Sequence, residues 1–106
     1  MTSPRPKLTW TPLAQSDLLE IYVTIGLECP AVAERYYDRL RDKARTLQDY
    51  PRLGTSRPDI ATGARIMVER PYLLVYRIKP DDVEMPVAEV EIIRVIDGRR
   101  DLAAAF

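Results

Sequence analysis

The sequence predicts an α+β fold: an N-terminal strand, an antiparallel helical hairpin, then a three-stranded antiparallel meander, with both helices on one sheet face. Three observations predict it. Two proline-initiated segments carry apolar residues at spacings of three and four. Three later segments are β-prone and joined by short connections rich in Pro, Asp and Glu. The chain has 106 residues, 46% hydrophobic and 30% charged, which suits one globular unit, so residues 1–106 are expected to form a single domain.

The elements follow in order. Lys7-Leu8-Thr9-Trp10 is a short β-prone run. Thr11-Pro12 has the form of a helix start, an N-cap followed by proline at the first helical position. Ala14, Leu18, Ile21, Tyr22 and Ile25 then recur at helical spacing, and Gly26 is placed to end the run. Pro30 opens a second helix, in which Ala33, Tyr36, Tyr37, Leu40, Ala44 and Leu47 form an apolar stripe. Its opposite face holds Arg35, Asp38, Arg39, Arg41, Asp42 and Arg45. The short link between the helices predicts antiparallel neighbours. Tyr50-Pro51-Arg52-Leu53-Gly54 stops the second helix, and a loop rich in Pro, Gly, Ser and Thr runs to Gly63. Strands are expected over Ala64–Glu69, Tyr72–Lys79 and Val87–Ile96.

Composition excludes several chemistries. There is no His, so no HExxH zinc site, no imidazole base and no Ser-His-Asp or Cys-His nucleophile. The single cysteine, Cys29, forms no internal disulfide; a reducing cytoplasm is expected, and the proline-rich start does not resemble a leader. No apolar run is long enough for a membrane span. No metal or cofactor is expected. Sixteen Lys+Arg balance sixteen Asp+Glu, which removes the argument from a basic domain to nucleic acid. The balance is uneven locally: from Arg52 to Lys79 six basic residues face two acidic ones, and from Asp81 to Glu91 there are five acids and no base.

Strand parity locates a candidate surface. Tyr72, Leu74, Tyr76 and Ile78 share the face suited to the helices; Leu73, Val75, Arg77 and Lys79 share the other. Arg65 and Met67 are expected beside Val75 and Arg77 on that second face. Two helices cover only one face well, so Met67, Leu73, Val75 and Arg77 are candidate partner-binding residues. Arg65, Arg77, Arg94, Arg99 and Arg100 are candidate functional cations. Arg94 has no assignable face, because a bulge in the last strand would change it.

The chain resembles the ParE/RelE superfamily of type II toxin–antitoxin toxins, in its ParE-like branch. The resemblance rests on Ala14-Gln15-Ser16-Asp17-Leu18-Leu19-Glu20-Ile21-Tyr22, Ala33-Glu34-Arg35, Leu47…Tyr50-Pro51…Leu53-Gly54 and Tyr72-Leu73-Leu74-Val75-Tyr76-Arg77. It ends on Ile93-Arg94-Val95-Ile96-Asp97-Gly98-Arg99-Arg100-Asp101. It implies a cytoplasmic toxin of the kind tied to plasmid stabilisation, neutralised by a ParD-like antitoxin and directed at DNA gyrase without catalysis of its own. The alternative it carries is a ribosome-dependent mRNA endoribonuclease of RelE type, in which Arg65 and Arg77 look similar to two sheet arginines. Many relatives place His where Asp97 stands; its absence favours the gyrase-directed branch. The antitoxin is expected on the open sheet face and in the grooves beside the hairpin, and toxicity at Arg99, Arg100 and the residues after them.

Overall fold

The computed structural model describes residues 4–99. The elements run β1 (Lys7–Trp10), α1 (Pro12–Gly26), α2 (Pro30–Asp49), β2 (Thr55–Ser56), β3 (Arg65–Glu69), β4 (Tyr72–Lys79) and β5 (Glu89–Asp97). They form an α+β fold with a five-stranded sheet in the order β1-β5-β4-β3-β2. β1 lies parallel to β5, and the other pairs are antiparallel. The two helices and the meander match the expected plan. β2 is additional: two residues inside a Pro/Gly/Ser/Thr loop carry no alternation, and only the β3 edge makes them a strand.

The helix starts are chemical. Thr11 caps α1, its Oγ1 accepting from the Ala14 N–H at 3.1 Å, and Pro12 follows in the first turn. The same hydroxyl donates to the Ile93 carbonyl at 3.0 Å, fixing the helix start to β5. α1 ends at Gly26 as expected, but not through a left-handed glycine; the Cys29 N–H closes the turn onto the Ile25 carbonyl at 2.9 Å. Pro30 then begins α2.

The main core lies between the hairpin and one sheet face. Ala14 and Leu18 of α1 and Leu40, Ala44 and Leu47 of α2 pack on Leu74, Tyr76, Ile78, Val90, Ile92 and Val95. Each fully buried Leu or Ile there contributes about 1.5–3 kcal/mol of transfer free energy. Ile92 and Val95 are three apart, so a regular strand would send them to opposite faces. A register shift opposite Val75/Tyr76 inserts an extra residue into β5 and returns both to the helices.

The second sheet face is not open. Ile60 and Ala64, from the loop before β3, pack on Leu73, Val75 and Ile96, with Ala61, Ile66 and Ile93 around them. The loop holds itself together: the Arg57 N–H donates to the Ala64 carbonyl at 2.8 Å and the Ala64 N–H to the Ala61 carbonyl at 3.0 Å. Gly63 turns it at φ 72°, a conformation that disfavours other residues. The expected exposed face therefore carries a cover drawn from mid-chain, and Val75 is fully buried.

Tyr76 is the largest fully buried side chain. Its hydroxyl donates to the Pro51 carbonyl and accepts from the Gly54 N–H, both at 2.8 Å, tying the exit of α2 to the middle of β4. A Cβ on residue 54 would sit 2.5 Å from that hydroxyl and 2.8 Å from the Ile66 carbonyl, so only glycine fits. Burial pushes the Tyr76 pKa above its ordinary 10.0, outweighing the Gly54 hydrogen bond and the Arg65 charge. A pKa raised on folding gives stability that is complete below the unfolded value and lost as pH rises through the folded one. Tyr76→Phe should therefore cost about 1–3 kcal/mol in urea unfolding at neutral pH, by leaving a buried carbonyl and N–H unpaired. It should also flatten the alkaline fall in stability above pH 10.

Candidate functional site

The β3–β4 turn holds only Arg70 and Pro71, with Glu69 directly opposite Tyr72. A two-residue turn pairs odd positions of one strand with even positions of the next. Arg65 accordingly opposes Tyr76, and Met67 opposes Leu74. Both belong to the helix-covered face, and Met67 packs against the main core. This corrects the expectation that they lie with Val75 and Arg77.

The two arginines are separated by the sheet. Arg65 donates through Nη1 to the Gly54 carbonyl at 3.1 Å and weakly to the Arg52 carbonyl at 3.5 Å. Arg77 opposes Glu91 and donates through Nε to the Thr62 carbonyl at 2.9 Å, on the covering loop. Leu73 and Val75 lie beneath that loop. Of the four expected partner-binding residues, Arg77 alone keeps a place at the surface of the second face, at intermediate exposure.

Arg94 is resolved by the bulge. Its Nε and Nη2 donate to the two carboxylate oxygens of Asp17 at 2.8 and 3.1 Å. The Val95 N–H donates to the same carboxylate at 3.0 Å. β1 ends opposite Ile92, so beyond that point β5 has no strand on this edge, and Asp17 of α1 supplies the missing acceptor. Asp17 hydrogen bonding holds Arg94 above the usual guanidinium pKa, more than offsetting partial burial. Arg94 is thus a joint between helix and sheet.

At the end of the sheet, Glu69, Tyr72 and Asp97 lie in register on the helix side. Tyr36 of α2 meets Tyr72 edge-on at 5.6 Å, and Lys43 meets Glu69 at 3.7 Å. Asp97 accepts from the Arg99 backbone N–H and from its Nε, each at 2.9 Å, and from Nη2 at 2.6 Å. The Gly98 N–H donates to the Pro71 carbonyl at 2.8 Å, so the chain leaves the sheet at a defined place. Burial, then the Asp97 charge, raises the Tyr72 pKa, with Arg99 opposing. Arg100 and the residues after it lie outside the described residues. Among the described residues no cluster of His, Cys, Asp or Glu is arranged to hold a metal ion, and no helix is long and apolar enough to cross a membrane.

A group of exposed apolar side chains lies on the hairpin. Leu13, Leu19 and Val23 of α1, and Leu27 just after its end, are 53%, 60%, 51% and 83% exposed, on the side away from Ala14 and Leu18. Tyr22, expected within the buried stripe, instead stands at the groove between the helices, edge-on to Tyr37 at 5.5 Å. Leu19, Tyr22, Glu34, Tyr37 and Asp38 line this groove, and it continues toward Trp10, Gln15 and Arg41. Sequence reasoning missed this second stripe, although the four-residue spacing of Leu19, Val23 and Leu27 displays it.

A two-helix hairpin on one face of a mixed five-stranded sheet, with apolar side chains of α1 left exposed, defines a small α+β protein. The family model for the ParE toxin of type II toxin–antitoxin system, parDE, matches residues 8–102, and the chain belongs to that family. Toxin ParE3 of Caulobacter vibrioides is 34% identical over 73 residues, 69% of this chain and 66% of that relative. The chain is also similar to a solved structure described as the chromosomal ParDE TA system from P. aeruginosa. That match has a TM-score of 0.72 and 26% identity, over 90% of this chain and 98% of that one.

Asp17→Ala and Arg94→Ala should each cost about 1.5–3 kcal/mol of stability, since each removes the charge-assisted hydrogen bonds that join α1 to β5. A double-mutant cycle should return a coupling of about 1–3 kcal/mol; additivity would remove the pair as the joint between α1 and β5.

Proposed function

We propose that this ParE-family toxin inhibits DNA gyrase in the cytoplasm without catalysis of its own, and that a ParD-like antitoxin neutralises it. The observation that carries this reading over an mRNA nuclease is the separation of Arg65 and Arg77. A nuclease of the expected kind needs its cations converging on one phosphate from one face. Here Arg65 is bonded to loop carbonyls on the helix side and Arg77 to Thr62 on the other. The chain has no His, and at the sheet end Asp97 is engaged with Arg99 while Glu69 pairs with Lys43.

The antitoxin is best accommodated on the hairpin. Burying Leu19, Tyr22 and Val23 under an amphipathic segment removes apolar surface that the fold itself leaves in water. The relative described as part of a ParDE system supports a partner of this type. Arg77 remains a candidate contact; Met67, Leu73 and Val75 support the core instead. The toxic surface is proposed at Arg99 and beyond, where the chain leaves the sheet.

Purified toxin added to gyrase and relaxed plasmid should block supercoiling, while a cell-free translation reaction given the same toxin continues with intact mRNA. Cleavage of ribosome-bound mRNA with unimpaired supercoiling would replace the gyrase reading by the nuclease one.

A further inference from the structure

Asp97 holds Arg99 with one carboxylate. Its Oδ1 accepts from the Arg99 backbone N–H and from Nε, each at 2.9 Å, and its Oδ2 accepts from Nη2 at 2.6 Å. The backbone bond makes an Asx turn, which sets the path of the chain just past the last strand. The side-chain bonds take up the edge of the guanidinium that recognises carboxylates and phosphates. The carboxylate is itself well placed. Asp97 ends β5 in register with Tyr72, its side chain is only 21% exposed, and the Gly98 N–H ties the next residue to the Pro71 carbonyl at 2.8 Å. The Arg99 side chain is 75% exposed, yet its charge is turned back on the sheet end. There it opposes the upward shift that burial and the Asp97 charge give the Tyr72 hydroxyl.

We propose that Asp97 is a positioning residue for the toxic end of the chain, with Arg99 as its anchor rather than as the cation that meets the target. The pair fixes the place and direction from which residue 100 departs. This inference rests on the reading that toxicity lies at this end. It divides that end into a held part, Asp97 to Arg99, and a contacting part that begins at Arg100. A target that engages a preset segment binds it more tightly, because less conformational freedom is lost on association. The two roles for Arg99 differ in sign. If Arg99 met the target directly, Asp97 would compete for the same fork, and removing Asp97 would strengthen inhibition. If the two residues act as one anchor, removing either weakens inhibition, and removing both costs no more than removing one.

The test uses the full chain and its Asp97→Ala, Asp97→Asn, Arg99→Ala and Asp97→Ala/Arg99→Ala forms. Thermal unfolding should be closely similar for all of them, because both side chains lie outside the two cores. In the gyrase supercoiling reaction, Asp97→Ala and Arg99→Ala should each raise the half-inhibiting concentration about fivefold or more, and the double substitution no further. Asp97→Asn keeps an acceptor for the Arg99 N–H and should fall between wild type and Asp97→Ala. Trypsin should cut after Arg99 about threefold faster in Asp97→Ala than in wild type, since an anchored arginine is withheld from the protease until it is released. Unchanged or stronger inhibition by Asp97→Ala, independent losses in the double substitution, or equal tryptic rates would each overturn the anchor. Growth arrest on induction is scored for the same forms. If wild type arrests growth without inhibiting gyrase, the gyrase reading falls and the same ordering by arrest decides the positioning role. A wild-type chain that does neither overturns both.

Discussion

The bulge in β5 opposite Val75 is the constraint on which the rest of the structure depends. Ile92 and Val95 must both reach the hairpin core, while Ile93 and Ile96 must both reach the second core. A strictly alternating strand cannot do this. The extra residue permits it, but it disturbs the ladder where β1 has already ended. The backbone groups left on that edge are met by α1, through Thr11 at the Ile93 carbonyl and Asp17 at the Val95 N–H. Arg94 completes the arrangement by neutralising Asp17 within a half-buried joint. One irregularity in a strand thereby sets where α1 starts and how the hairpin lies on the sheet.

The basic stretch from Arg52 to Lys79 takes its meaning from the same economy of contacts. Arg52 donates to the Asp82 carbonyl, Arg57 grips Asp59, Arg65 reaches Gly54, Arg77 reaches Thr62 and Lys79 pairs with Glu91. These cations fasten loops to the sheet, above all the loop that covers its second face. A local excess of positive charge in the sequence is thus consistent with structural use and gives no phosphate-binding surface by itself. The acidic stretch after it contributes acceptors to the same fastening through Asp82 and Glu91.

Covering the second face relocates the candidate interaction surface. With Leu73 and Val75 under Ile60 and Ala64, a group of apolar side chains left to water lies together on the outside of α1 and in the groove beside it. α1 is apolar on both sides, and only one side is satisfied by the fold. That asymmetry is the physical basis for reading the hairpin as the face a partner completes.

The sequence by itself determined the two helices, their starts at Pro12 and Pro30, the Tyr72–Lys79 strand and the α+β order, because local spacing, capping and proline geometry fix these without reference to distant residues. It also holds two local signals: the two-residue turn at Arg70-Pro71 sets the parity that places Arg65 and Met67 under the helices, and the spacing of Leu19, Val23 and Leu27 marks the exposed stripe. The tertiary structure alone decided the rest. The parallel pairing of β1 with β5, the bulge, the Asp17–Arg94 joint and the closure of the second face by residues 57–64 each join positions far apart in the chain. Such contacts arise when competing surfaces are packed together. Their energies depend on which residues meet, and no local pattern records that.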